Sequence, residues 1–328
     1  MQDIRWGIIG CGGIANTFAA SLGALDTGTL LAGASRTGGK ADAFAEKHGL
    51  ERSYSDYEAL VKDPDIDAVY VATTHNFHYE NVKLCLEHGK HVLCEKPFTV
   101  NAGQTRDLIQ LAKAKNRFLM EGLWTRFLPA IIHLQELLAG GVIGEVQSVF
   151  ANFFLDRDFP PEHRLRNKTL AGGALLDLGV YPINLASIVF AQQPLKIDSV
   201  VNLDPETGVD ASSYYFLDYG RRRRAVLSSS YTQAAPNEAL VCGTQGFIRL
   251  PHFHGAQELH LYRTGQAPEV MEFSYKQGEN FKYEIAHAME CIASGKTESD
   301  IMPLSETLAI METMDALRAQ WSLTYPGE

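Results

Sequence analysis

The chain is short of the features that would place it outside a reducing, aqueous setting. Five cysteines are scattered over 328 residues, at Cys11, Cys85, Cys94, Cys242 and Cys291. The number is odd and no CxxC occurs, so neither a disulfide framework nor a zinc knuckle is indicated. A reducing, cytoplasmic compartment is the expectation. No run of about 20 apolar residues is present, which argues against a membrane span. The first residues lack a signal-peptide pattern. Dense positive charge is confined to Arg221-Arg222-Arg223-Arg224, and the formal net charge is -10. That run follows Asp218-Tyr219-Gly220 and reads as a solvated hairpin end, so no nucleic-acid or membrane partner is expected. With 45% apolar and 21% charged residues, what remains is an ordinary globular chain, long enough for two domains.

The first part of the chain alternates strand and helix patterns. Strand-like runs are Ile4 to Ile9, Thr29 to Ala34, Ala68 to Ala72, His91 to Cys94 and Phe118 to Met120. Helical patterns follow the first strand to about Leu25, then cover Lys40 to His48, Asp56 to Val61, Phe77 to His88 with Asn76 as a cap, and Asn101 to Lys115. This alternation predicts a parallel sheet with helices on both faces, and loops at the carboxyl ends of the strands as the ligand side. Beyond Pro129 the pattern changes. Strand candidates are Val146 to Phe154, Ser199 to Leu203, Ser212 to Asp218, Ala225 to Tyr231, Glu238 to Cys242, Gly246 to Leu250, Glu258 to Tyr262 and Val270 to Phe273. Turn-like segments join several of them, which suits a mainly antiparallel sheet. Helices are expected over Tyr283 to Ala293 and Ser305 to Trp321.

Gly10-x-Gly12-x-x-Ala15, directly between the first strand and the first helix, carries the dinucleotide fingerprint. Gly10 permits the tight turn, Gly12 the approach of a pyrophosphate, and Ala15 close packing of helix on strand. Gly13 and Ile14 complete the loop and bring backbone amides of the helix start to the phosphates. The second strand ends Ser35-Arg36-Thr37, without the acidic residue that would hold a free ribose diol. Arg36 can stack on adenine and pair with a 2'-phosphate, with Ser35 and Thr37 donating to it. NADP is therefore expected, with NAD the alternative. At the tip of the fourth long strand stands Glu95-Lys96-Pro97, where Pro97 keeps Lys96 out of the helical region. Whether the Lys96–Pro97 bond is cis or trans is open at this level.

Further on lies Gly172-Gly-Ala-Leu-Leu-Asp177-Leu-Gly-Val-Tyr181. From Ala174 onward it reads as an apolar helix on which Asp177 and Tyr181, four residues apart, share a face. A carboxylate and a phenol there need partners. Brought against Lys96, the phenol's pKa would fall from about 10. Tyr181 would then accept a hydroxyl proton. Asp177 would orient the substrate or the lysine. The histidines do not suggest a catalytic metal: His252 and His254 share a face if extended but lack a third ligand, and hydride transfer needs none.

On these motifs the chain resembles the glucose-fructose oxidoreductase / inositol dehydrogenase type of two-domain NAD(P)-dependent oxidoreductases. Many of these carry histidine where this chain has Tyr181. A narrower likeness, on Met120-Glu-Gly-Leu-Trp-Thr-Arg-Phe-Leu-Pro129 and Met302 to Asp315, is to the dihydrodiol dehydrogenases, which also include NADP-dependent D-xylose 1-dehydrogenases. The resemblance implies a Rossmann domain over residues 1–122 and an α+β substrate and oligomerisation domain over 123–328, with an open, mainly antiparallel sheet. The C-terminal helix is a candidate to pack back on the first domain. It implies a catalytic cluster of Lys96, Asp177 and Tyr181. Thr73, Thr74, His78, Glu95 and Pro97 would flank the nicotinamide. Trp124, Arg126 and Phe127 would lie near cofactor or substrate, and Arg166 is a weaker cofactor-side candidate. Phe127 and Phe153 are candidates to stack on a ring. The implied assembly is a homodimer, with a tetramer the alternative. Three activities follow: an aldose 1-dehydrogenase, favoured here, a trans-dihydrodiol dehydrogenase, or a nucleotide-binding sensor without turnover.

Overall fold

The computed structural model describes residues 3–276 and 278–328. The chain divides into two compact units. The first comprises residues 1–124 and 276–308, the second 125–275 and 309–328. The expected division at 122/123 left 276–308 in the second domain. Here α8 (Lys282–Ala293) and the start of α9 (Leu304–Gln320) belong to the first. Their apolar faces supply the reason: Met289 of α8 lies against Gly28, and Leu304 joins the core of the first sheet.

The first unit is built on six parallel strands: β1 (Arg5–Ile9), β2 (Thr29–Ala34), β3 (Arg52–Tyr54), β4 (Ala68–Val71), β5 (His91–Glu95) and β6 (Leu119–Gly122). Their order is β3-β2-β1-β4-β5-β6. The chain winds outward from β1 in both directions, so a crevice opens at the carboxyl ends of β1 and β4. Strands β4 and β5 are buried almost throughout because helices cover both faces. Trp6, Phe18 and Tyr70 form an aromatic core, with the Phe18 and Tyr70 ring centroids 4.0 Å apart. The helices are α1 (Gly13–Gly23), α2 (Lys40–His48), α3 (Tyr57–Lys62), α4 (His78–Glu87) and α5 (Ala102–Lys115). Their ends follow local chemistry. Asp56 and Asn101 accept the backbone N–H of Ala59 and Gln104 as N-caps, and Gly49 ends α2 at φ 66°. Two readings change. Asn76 is no cap: it lies inside the 3-10 turn His75–Phe77, and its side chain accepts from Thr74 instead. Strand β3 was not foreseen, because three half-buried residues at a sheet edge give no periodic signal.

The second unit has an eight-stranded sheet: β7 (Val146–Phe154), β8 (Lys196–Leu203), β9 (Asp210–Gly220), β10 (Arg223–Ser230), β11 (Ala239–Gly243), β12 (Gly246–Leu250), β13 (Glu258–Arg263) and β14 (Glu269–Glu272). The order is β14-β13-β12-β11-β7-β10-β9-β8. All pairs are antiparallel except β7 with β10, which a long crossover joins. The arginine run is the β9–β10 turn, with Arg221 and Arg222 at φ 49° and 65°. One face is covered by α6 (Pro129–Ala139) and α7 (Val180–Phe190). The helical run 168–190 has the length and apolarity of a membrane span, contrary to the expectation that none exists. Its window is 83% buried within the fold, however, as in a core helix. The other face is open. Phe216, Val226, Phe150 and Leu240 stand opposite one another on β9, β10, β7 and β11. Phe150 and Val226 are 43% and 44% exposed. Tyr214 also faces outward, whereas Tyr215 and Tyr231 are buried.

Candidate active site

In the first unit the glycine loop is shaped by close backbone contact. Gly10 has φ +96°, and a Cβ there would stand 2.8 Å from the carbonyl oxygen of Ala72. Its N–H donates to Ala34 O at 2.9 Å. One residue is thus pinned to the ends of β2 and β4, and only glycine fits. Helix α1 begins with Gly12 as N-cap, no side-chain cap and no acidic residue in its first turn. A Cβ on Gly12 or Gly13 would meet nothing within 4 Å. The first-turn amides are therefore not engaged by a side-chain cap. With space above the glycines, this end of the helix fits a pyrophosphate. Ile14 lies on the outer side and Ala15 is buried against the strands.

Arg36 follows β2. Its guanidinium lies 5.0 Å from the Tyr57 ring centroid and 4.7 Å from that of Phe77. Held by two aromatic rings, it keeps its planar fork for a phosphate. Ser35 is buried, and its Oγ accepts the N–H of Thr37 at 3.2 Å. These residues fit a 2'-phosphate as the sequence proposed, and no carboxylate stands at the end of β2.

The loops after β4 and β5 meet at His78. Nδ1 lies 2.8 Å from Pro97 O and Nε2 3.0 Å from Thr73 O. Burial, reinforced by His75, pushes this imidazole down to about 4. The ring is neutral at pH 7 and donates to one of the two carbonyls at a time. Asn81 donates to Thr73 Oγ at 3.1 Å, and Thr74 bonds Asn76. Glu95 accepts from the Tyr70 hydroxyl and from the Lys96 N–H. The Lys96–Pro97 bond is cis. Glu95 is 5% exposed, so it acts as an internal brace for the turn bearing Lys96. Trp124 meets Phe281 at a tilt, ring centroids 5.5 Å apart.

In the second unit, Asp177 lies in a π-helical turn, Leu175–Gly179, that runs into α7 with Tyr181 in its first turn. Single π turns inside helices recur at functional sites. The stretch was expected to be plain α-helix. Two glycines and one aspartate set its start. A Cβ on Gly172 would fall within 2.6–2.9 Å of the carbonyl oxygens of Arg164, Leu165 and Asn167. Gly173, at φ +122°, leaves room for Asp210, whose Oδ1 a Cβ would meet at 2.1 Å. Asp210 Oδ2 accepts the N–H of Leu175 at 2.6 Å, and Tyr325 donates to Gly172 O at 2.6 Å. The 164–167 turn is laced to the glycines by Gly172 N–H to Asn167 O and Gly173 N–H to Leu165 O. That lacing carries Arg164 over Asp177, which it pairs through both oxygens at 2.8 and 3.2 Å. Asp177 was assigned to substrate or lysine; within this unit it pairs with Arg164.

Tyr181 is 6% exposed. Phe153 meets it edge-on at 5.3 Å, and His254 stacks on Phe153 at 4.1 Å while lying 6.1 Å from the Tyr181 ring. His252 and His254 would share a face only if the segment were extended. Instead His252 is left-handed at φ 48° and His254 sits in the 3-10 turn Phe253–Gly255. Arg126 is buried, donating from Nε to Asn184 Oδ1 at 2.6 Å, and Phe127 is buried beside it in the chain. This contact ties Arg126 to α7 one turn beyond Tyr181. Arg166 is corrected outright as a cofactor candidate. It pairs with Asp204 at 2.8 Å and Glu206 at 3.0 Å and donates to Phe159 O. Burial would raise the Asp204 carboxyl, but Arg166, two backbone amides and Tyr231 together hold it well below its usual range. Sequence reasoning missed Arg164, His254 and Asp210. The only local signal was for Arg164, eight residues before the glycine pair.

Two units, one a dinucleotide fold with a lysine at a strand tip and the other a sheet carrying a carboxylate and a tyrosine on a helix, define a nicotinamide-dependent oxidoreductase. Residues 4–123 match the oxidoreductase family with an NAD-binding Rossmann fold, and residues 131–249 match the GFO/IDH/MocA C-terminal domain. The chain belongs to the Gfo/Idh/MocA oxidoreductase family. It is 36% identical over 329 residues to the trans-1,2-dihydrobenzene-1,2-diol dehydrogenase of Xenopus tropicalis, covering 98% of this chain and 99% of that one. The human enzyme of the same name is 36% identical over 336 residues, covering 99% of each. Among solved structures, KijD10, a 3-ketoreductase from Actinomadura kijaniata with NADP and TDP-benzene, is 28% identical with a TM-score of 0.86, covering 97% and 98%. An aldose-aldose oxidoreductase from Caulobacter crescentus shares the fold, with a TM-score of 0.88 at 24% identity and 97% coverage of each chain.

Asp210 is fully buried, and burial pushes its carboxyl up to about 7 against the pull of the Leu175 N–H. The folded state then holds a proton that the unfolded chain releases near 3.8. Stability from the neutral acid is present below that value and lost as pH rises through about 7. Asp210→Asn stays neutral throughout. Its stability relative to the parent should rise from about pH 4 to about pH 8, as urea unfolding at the two ends will measure. A constant difference would contradict the assignment.

Proposed function

We propose that the protein is an NADP-dependent dehydrogenase of vicinal ring diols, of the trans-dihydrodiol type. The observation that carries this reading is the aromatic frame of Phe153 and His254 around Tyr181, a setting suited to a flat unsaturated ring. Sequence reading favoured an aldose. Similarity along the whole chain to trans-1,2-dihydrobenzene-1,2-diol dehydrogenases moves the weight to the cyclic diol. NADP is supported by Arg36 between its two rings and by the NADP bound to KijD10.

The nicotinamide supplies the hydride acceptor when bound. Tyr181, as the tyrosinate, takes the proton of the hydroxyl being oxidised and becomes the neutral phenol, and the ammonium of Lys96 stabilises the negative charge that develops on that oxygen. Asp177, held through both oxygens by Arg164, sits one helical turn before Tyr181 and sets the polar end of the site. Glu95, braced by Tyr70, holds the turn from which Lys96 projects. A hydrocarbon diol and an aldose share this proton and charge chemistry and differ in the surface that holds the ring.

NADPH formation measured on trans-1,2-dihydrobenzene-1,2-diol, D-xylose, other aldoses and inositols tests the substrate class. The dihydrodiol should have the highest kcat/KM, by about tenfold or more, equivalent to about 1.4 kcal/mol of transition-state preference. A higher value for D-xylose would move the assignment to the sugar, and turnover of nothing would favour a sensor. Lys96→Met and Tyr181→Phe should each lower kcat by about 10²- to 10⁴-fold. Their double variant should lose much less than the product of the two, since groups serving one proton transfer are not additive. Full multiplicativity would separate their roles. We also propose that the open sheet face pairs with a second copy, since a row of phenylalanine and valine in water is unfavourable. Light scattering should give twice the 36.2 kDa of one chain, and Val226→Glu should return it to that mass.

A further inference from the structure

Helix α8 carries His287 and Cys291 four residues apart, on one face of its last turns. The turn that follows brings Asp300 to them. Among the described residues, these three gather their ligand atoms within 4.8 Å of one another. His287 Nε2 lies 3.4 Å from Cys291 Sγ and 3.4 Å from Asp300 Oδ1. A tetrahedral zinc ion, with bonds of about 2.0 Å to nitrogen and oxygen and 2.3 Å to sulfur, holds neighbouring ligand atoms about 3.3–3.6 Å apart. The two separations from the imidazole are those of a tetrahedral edge.

The surroundings fix this geometry. Ser299 Oγ accepts the N–H of Ile301 and of Met302 at 3.0 and 2.9 Å, locking the turn. It also lies 2.8 Å from His287 Nε2, a contact that an ion would replace. The other oxygen of Asp300 lies 3.4 Å from Lys296 Nζ, which leaves Oδ1 turned to the imidazole. Cys291 is 1% exposed and Asp300 is open to solvent, so the group has a buried floor and an entry side. A thiolate there needs a cation beside it, which a bound metal provides. Nitrogen, sulfur and carboxylate oxygen together suit zinc and exclude the oxygen-only preferences of calcium and magnesium. Thr297 O accepts from Leu119 at the amino end of β6. The group therefore stands at the edge of the sheet opposite the glycine loop, which follows the carboxyl end of β1.

We propose that His287, Cys291 and Asp300 form a structural binding site for one zinc-type divalent ion, with water as the fourth ligand. The ion would clip the end of α8 to the turn leading into α9, inside the segment that the first unit gains from late in the chain. Tag-free full-length protein, reduced and stripped with chelator, is titrated with Co2+ as the optical probe. One equivalent should produce a thiolate-to-cobalt charge-transfer band and the visible bands of a four-coordinate ion, both bleached by Zn2+. Cys291→Ser should abolish the charge-transfer band. Asp300→Asn, a solvent-exposed change that spares the core, should weaken Co2+ binding by about tenfold or more, at least the cost of losing an outer-shell partner. Circular dichroism establishes that both variants are folded. A parent protein without the band, a band that survives in Cys291→Ser, or an unchanged affinity in Asp300→Asn each overturns the site.

Discussion

The first unit depends on the parallel register of β1 between β2 and β4. Parallel neighbours cannot be joined by a tight turn, so each strand exits into a helix and every strand ends at the same edge. At β1 the winding reverses. There Gly10 must pass so close to Ala72 that no side chain fits. The same edge receives the end of β5, and His78 ties the two loops by lying within hydrogen-bond distance of Thr73 and Pro97. Glu95, Lys96 and the glycine turn are where they are because the sheet ends there.

The second unit solves a different problem: it holds an apolar helix at fixed depth above a sheet and still presents polar groups on it. The solution is backbone crowding at Gly172 and Gly173 with a buried carboxylate beneath. Asp210 caps the helix start from below, and the 164–167 turn closes from above. A buried carboxylate with one oxygen bonded to an amide gives up solvation, and the structure accommodates this by raising its pKa rather than pairing it. Arg126 and Asn184 secure the following turn. Tyr181 is therefore braced on both sides along the helix, and Phe153 and His254 set its ring.

Much of this was legible in the chain itself. The glycine fingerprint, the lysine at the strand tip and the absence of an acid after β2 are local signals with local causes. The failures share a feature as well. Asn76 has the chemistry of a cap but meets Thr74 first. Arg166 follows a motif by position but finds Asp204, 38 residues away. The pairing of Arg164 with Asp177, the stacking of His254 on Phe153 and the gathering of His287, Cys291 and Asp300 all require the chain to turn back on itself. No spacing in the sequence encodes those turns.

The sequence by itself determined the element types, the two-part organisation and the chemistry on offer, because periodicity, glycine placement and side-chain identity act over a few residues. Tertiary structure decided which of those groups keep their donors and acceptors for a ligand and which spend them internally. It also decided that residues 276–308 belong with the first unit. The physical reason is that burial raises the cost of an unmatched polar group, and its partner is whichever group the fold brings within about 3 Å.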